Sequence, residues 1–397
     1  MAKKSICLYF EVHQPLRLRT YKFFDIGKDS HYFDDFACRT LVKKAAQECY
    51  LPMNALLLDI IKKNKKFKVS FSIAGELLEQ FDRYAPEVID GFKALSSTGN
   101  VEFVGSTYYH SLASLVSPSE FEHQVRKQEA ALESYFGATP KVFCNTEMIY
   151  SDAIGKAIYA LGYKTILTEG ARHIMGWRNP DFIYNNDIQP HQKLILRNWR
   201  LSDDVALRFN QREWDQWPLT ADKYVGWIKE SEGDVVTLGM GYRTFGLTHP
   251  VSSGIVDFFK AFVDMVSNDP GLEFVTPSEA ARKYKSVGGL DVAEPISWSD
   301  EERDTTAWLG NELQQEAFNK LYAQAEKLGL CGDPTLWIDF GRLQECDNFY
   351  YMSTKYFSEG PAKIHNPYPS PYEAFINYMN AVSDFIIRVD DMVSSKE

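Results

Sequence analysis

The sequence is short of positive charge: 43 basic residues stand against 54 acidic ones, for a formal net charge of −11. Gripping a phosphate backbone needs a basic face, so a general nucleic-acid binder is not expected. A long apolar run is also missing. The opening "MAKKSICLYFEVHQP" has two lysines, but its hydrophobic stretch is only about six residues and is interrupted by Glu11. That is too short for a secretory core and far below the ~20 residues of a membrane span, so no membrane partner is expected. The six cysteines (Cys7, Cys38, Cys49, Cys144, Cys331, Cys346) form no C-x-x-C pair. Buried thiols in a reducing, cytoplasmic setting are the expectation. No internal repeat or low-complexity segment is visible.

What remains is a chain of 397 residues, 45% hydrophobic and 14% aromatic, enough for one large domain plus a smaller one. Its short apolar runs are "SICLYFEVH" (5–13), "FKVSFSIAG" (67–75), "VEFVGS" (101–106), "KVFCNTE" (141–147), "KTILTEG" (164–170), "DVALRF" (204–209), "DVVTLGMGY" (234–242) and "LEFVT" (272–276). Nearly continuous apolar strands separated by helical stretches point to a parallel sheet covered on both faces. The spacing predicts one such helix over 119–137, with Gly137 at its C-terminus. Seven or eight βα units make a barrel, and a doubly wound open sheet is the alternative on periodicity alone.

Near residue 285 the character changes. "KSVGGLDVAEP" (285–295) reads as a linker with no strand after it, and helical patterns follow over 304–328 and from "SPYE" onward. In the last helix Ser370 is the expected N-cap, Pro371 the first position and Glu373 the reciprocal capping acid. The expected division is therefore 1–285 as an α/β barrel domain and 286–397 as a helical bundle.

In a parallel barrel the C-terminal strand ends converge on one face. Those ends offer His13, Glu76, Glu102, His110, Glu147 and Arg243, whereas Asp203 and Asp204 lie at the wrong end of their expected strand. A cluster of His13, Glu102, His110 and Glu147 is more charge than a core tolerates without a purpose. No H-E-x-x-H, H-x-x-x-H or paired Asp on the first strand supports a metal centre, so no metal or cofactor is expected.

These stretches carry a resemblance. "HQP" (13–15), "GNVEFVGSTYYH" (99–110), "FCNTEMIYSD" (143–152), "TLGMGYRTFG" (237–246) and "LQECDNFYYM" (343–352) resemble, in order, the five motifs of glycoside hydrolase family 57, in its α-amylase group. "LSDDVALRF" (201–209) and "SWSDEERDTTAWLGN" (297–311) are similar to further stretches of that group. The resemblance implies an incomplete (β/α)7 barrel followed by a helical bundle, acting on α-glucans such as starch, glycogen or maltooligosaccharides by a retaining two-carboxylate mechanism. By position it implies that Glu147 is the nucleophile and that His13, Glu102 and His110 line the first subsite. Asp347 and Tyr350, with Trp298 and Asp300, complete the wall of the cleft.

The fourth motif departs from the family. Where the family resembles D-Y-E-T-F-G, this chain reads Gly241-Tyr242-Arg243-Thr244-Phe245-Gly246, so the acid/base position has no side chain. In the fifth, Asn348 stands where a histidine is expected. Reading the motif as continuing strand, Arg243 shares the face of Gly241 and reaches toward Glu147. The expectation is an impaired or non-catalytic glucan-binding protein. The alternatives are an active hydrolase or glucanotransferase using another acid such as Glu169 or Asp300, or a metal-dependent deacetylase-like enzyme on a related barrel.

Overall fold

The computed structural model describes residues 3–355 and 366–395. Its strands are β1 (Lys4–Val12), β2 (Val69–Ile73), β3 (Val101–Phe103), β4 (Thr165–Glu169), β5 (Tyr184–Asn186), β6 (Lys193–Arg197), β7 (Val235–Gly241), β8 (Leu272–Val275) and β9 (Gly289–Leu290). β1 shows why the sheet is central. After Lys4 every residue of it is buried, because both of its faces are covered. Ile6, Leu8, Phe10 and Val12 pack outward among the helices, while Cys7 and Tyr9 point into a second, inner cluster with Val104, Val142, Cys144, Leu167, Ile195 and Val235. By the same alternation Glu11 also points inward.

The strands form a nearly closed ring. β1 pairs in parallel with β7 along one edge, and with β8 and then β2 along the other. β2 pairs with β3, β4 with β6, and β6 with β7 through Arg197 and Thr237 alone. The gap between β3 and β4 is bridged by one residue, Phe143, which pairs with Gly105 on one side and Ile166 on the other. Counting that bridge, seven segments make the α/β barrel expected from the sequence.

Local corrections follow from packing. "DVALRF" is not a strand: Trp199–Ala206 is a helix, capped by Asn198, whose side chain accepts from Leu201 N. Its amphipathic burial outweighs the short apolar run that suggested a strand. The strand of that unit is β6, "KLILR", which went unread because a polar segment isolates it. The linker near 285 returns to the sheet, since β9 pairs with β5. Beyond it, helices Thr306–Leu309, Glu312–Tyr322, Ala325–Cys331, Pro334–Leu343, Cys346–Tyr350 and Pro371–Ser394 form the C-terminal part. Their buried residues share one cluster with Phe143, Ile166 and Leu194 of the barrel.

Helix ends obey local chemistry. Pro118–Phe136 stops at Gly137, which takes a left-handed φ of 60°. Ser370 caps the last helix by accepting from Glu373 N at 3.2 Å, with Pro371 in the first turn, but the reciprocal bond from Glu373 is not formed. All six cysteines are buried and none is in a disulfide. Among the described residues no helix is long and apolar enough to cross a membrane.

Candidate active site

Among the described residues five non-glycine residues have positive φ: His110, Glu147, Met148, Asp300 and Arg303. The left-handed region costs L-residues energy, so it persists only where surrounding contacts enforce it. All five lie in segments that meet at one barrel mouth. Trp298 N donates to the Glu147 carbonyl at 3.1 Å, Tyr150 and Ile296 exchange backbone hydrogen bonds, and Cys346 N donates to the His110 carbonyl at 3.0 Å. Barrel loops and the C-terminal helices are thus tied to each other around Glu147.

The Glu147 carboxylate is fully engaged. Its Oε1 lies 3.1 Å from His110 Nε2, and its Oε2 accepts from Trp298 Nε1 at 2.6 Å and from Ser299 Oγ at 3.0 Å. Burial by itself pushes this carboxyl up. The hydrogen bond and charge of His110, with the Trp298 indole N–H, more than reverse that and hold it below the usual carboxylate value. His110 is the matching cation. Although burial disfavours its charge, the carboxyls of Glu11, Glu147 and Asp347 raise it to about 9.

His13 stacks on His110 with ring centroids 3.7 Å apart. Burial and the neighbouring imidazolium lower His13 to about 4, so it is neutral and meets Asp347 Oδ2 at 2.7 Å. Asp347 is pushed up by burial but held well below its ordinary value by the two histidines. Tyr350 is raised by burial and by the charges of Asp300, Glu147 and Asp347. Asp300 is raised by burial and lowered by Lys355.

A second shell of ion pairs holds the Trp298 loop. Arg303 donates to the Trp298 carbonyl and to Asp203, while Arg197 binds Glu169 at 2.6 Å and Asp203 at 2.5 Å. The Arg197 guanidinium also lies under the Trp298 ring, 5.5 Å from its centroid. Asp203 therefore works from a helix as a buttress, and Glu169 is committed to Arg197 rather than available as an acid.

Two expected members lie elsewhere. Glu102 points into the barrel but pairs in register with Ser70, level with Tyr9, one pleat repeat (roughly 7 Å) below Glu11. Its Oε2 accepts from Ser278 N at 2.9 Å. Arg243 does not pair with Glu147. β7 ends at Gly241 and Tyr242–Thr244 is a 3-10 turn, so the alternation that would align positions 241 and 243 is broken. The Arg243 charge acts instead on Cys49 and Tyr50, in the helical layer outside the barrel. Glu76 is likewise taken up in the first turn of a helix, where it accepts from Gln80 at 2.6 Å.

Sequence reading missed Glu11, Ser299, Glu345 and Cys346. Glu345 accepts from Leu16 N at 2.9 Å beneath His13. The sets His110–Glu147–Cys346 and His13–Glu345–Asp347 bring possible metal donors together. In each set, however, the histidine already has a carboxylate partner. The Glu11 signal was present as inward alternation behind Cys7 and Tyr9, but it read as an interruption of an apolar run. Gly241, its Cα partner across the ladder, has φ −61° and ψ 134°, and a Cβ built there meets nothing within 4 Å.

A family model described as glycosyl hydrolase family 57 matches residues 7–293. The chain is 37% identical over 413 residues to a Methanocaldococcus jannaschii protein named "Putative alpha-amylase", covering 99% of this chain and 86% of that one. In fold it is similar to a 4-alpha-glucanotransferase of Thermococcus litoralis (TM-score 0.71, 13% identity, 96% of this chain and 60% of that one). It is also similar to an alpha-amylase of Thermotoga maritima (TM-score 0.67, 14% identity, 100% and 94% covered) and to a branching enzyme of Thermococcus kodakaraensis (TM-score 0.69, 13% identity, 88% and 86% covered).

Proposed function

The chain belongs to glycosyl hydrolase family 57, and from that premise we propose an α-glucan-directed protein whose retaining site has its nucleophile, Glu147, but lacks the family's acid at Gly241. The names of its relatives, amylase, glucanotransferase and branching enzyme, supply the substrate class. The observation that carries the reading is the state of Glu147. It is ionised, half-buried and fixed by three donors, as suits a carboxylate that attacks an anomeric carbon. His13, His110, Trp298, Asp300, Asp347 and Tyr350 are the proposed sugar contacts, the aromatic faces stacking on the apolar face of a pyranose.

Without an acid, a sugar hydroxyl leaves poorly, and the loss is about 10²–10⁴-fold in rate. The protein is therefore a binder with weak turnover. Calorimetry with maltoheptaose and a reducing-sugar assay test this. The parent is expected to bind, and Gly241→Asp to hydrolyse about 10²-fold or more faster, an activity that Glu147→Gln removes. No binding by the parent overturns the glucan reading. Parent hydrolysis equal to that of Gly241→Asp overturns the impairment and favours the second reading, a working hydrolase or glucanotransferase. One observation favours that second reading, a buried carboxyl beside the vacancy.

A further inference from the structure

We propose that Glu11, one strand over from the vacant position, is the proton donor for the turnover that this site retains. The proposal rests on the glucan reading and deepens it. Glu11 and Gly241 are Cα partners on adjacent parallel strands. Paired residues send their side chains to the same face, so Glu11 stands next to the space an acid at 241 would fill. That space is open, since a Cβ on Gly241 meets nothing within 4 Å. A side chain at 241 would cover the flank of Glu11, and glycine leaves it uncovered toward the mouth.

On its other side Glu11 feels the charges of His110, Glu147 and Asp347 and the dipole of the Glu147 backbone N–H. Tyr9, Cys144 and Cys346 complete its surroundings. None of these supplies a cation that would strip its proton except His110, which is itself paired with Glu147. Burial, with the Glu147 and Asp347 carboxylates, raises Glu11 to about 8 against the opposing pull of His110, which favours the protonated form an acid needs.

Two other acids are less suited, Glu169 being held by Arg197 and Glu345 by Leu16 N. Asp300, raised by burial against the pull of Lys355, is the competing donor that the test includes.

The step balances. A Glu147 oxygen forms a bond to the anomeric carbon as the glycosidic C–O bond breaks. The electron pair goes to the leaving oxygen, which takes the proton of Glu11 and leaves a Glu11 carboxylate. Water then attacks the anomeric carbon and gives its proton back to Glu11, and the bond to Glu147 breaks.

The test compares maltotetraose, whose leaving group needs a proton, with α-glucosyl fluoride, whose leaving group does not. Glu11→Gln keeps the shape and an acceptor oxygen while removing the acid. It is expected to lower maltotetraose turnover by about tenfold or more while holding the rate of the first-turnover burst of fluoride release within about twofold, which also shows that the fold is intact; later fluoride turnovers slow, because hydrolysis of the Glu147 intermediate needs Glu11 as base. In the Gly241→Asp background the same change is expected to matter little, because the restored acid takes over. An equal loss in maltotetraose turnover and in the rate of the fluoride burst makes Glu11 a structural support of Glu147 and overturns the proposal, as does no loss in either. Loss of maltotetraose turnover in Asp300→Asn but not in Glu11→Gln assigns the proton to Asp300 and overturns it as well. If the parent turns over the fluoride alone, no donor exists and only this proposal fails. If it neither binds nor cleaves either sugar, the glucan reading itself fails.

Discussion

Two segments reach the same barrel mouth, and they are built in opposite ways. The segment around Glu147 is fastened inward: its carboxylate has three donors, its carbonyl accepts from Trp298 N, and its φ of 53° is enforced by those contacts. The segment after Gly241 is fastened outward. Tyr242 packs against Phe10, Tyr50 and Phe71, its hydroxyl donates to Asn54, and Cys49 Sγ donates to its carbonyl. Gly246 closes the turn at φ 114°, where a Cβ would lie 2.0 Å from the Glu48 carbonyl oxygen. One side of the cleft spends its contacts on chemistry and the other on the fold. An acid can disappear from the second without unsettling the barrel, whereas nothing can be taken from the first without loosening Glu147.

Breaking the inward fastening at its root has the largest expected effect. Arg303→Met leaves Asp203 and the Trp298 carbonyl short of a buried partner, and is expected to cost about 3 kcal/mol in urea unfolding. A loss under about 0.5 kcal/mol would mean that Arg197 alone suffices. Trp298→Phe is milder, removing only the 2.6 Å N–H bond to Glu147. Fluoride turnover is expected to fall about tenfold, in keeping with about 1.5 kcal/mol for a bond to a charged group. The carboxyl is held down partly by that indole, so its pKa rises in the variant. The acid limb of the pH–rate profile then moves to higher pH, and turnover is lost earlier as pH falls. Gly241→Ala should do least. With φ −61° and open space, the melting temperature is expected to stay level or rise slightly, by up to about 1 kcal/mol of stability. A clear drop would show that the bare side is more constrained than its contacts indicate.

Much of this was legible in the sequence, for specific reasons. Strand ends marked His13, His110 and Glu147, while the fifth motif brought Asp347 and the further stretch at 297–311 brought Trp298 to the same place across more than a hundred residues. Register was not legible. Glu102 looks like a strand-end residue, yet one pleat repeat separates it from the mouth. Arg243 was misplaced because a strand that stops at Gly241 cannot be told from one that continues two residues further. Glu11 was read as a blemish in an apolar run, although the two-residue alternation behind it already pointed it inward.

The ring closes through a single residue. Phe143 N donates to Thr165 O, and its carbonyl accepts from Leu167 N; Gly105 N donates to Val142 O, and Cys144 N to Gly105 O. Walls knitted this thinly open at lower free energy than those with long ladders. Four positions beyond Phe143 stands Glu147. Where amide protons are expected to trade with solvent earliest, the barrel keeps the carboxylate proposed to attack. Its seam and its chemistry share an address.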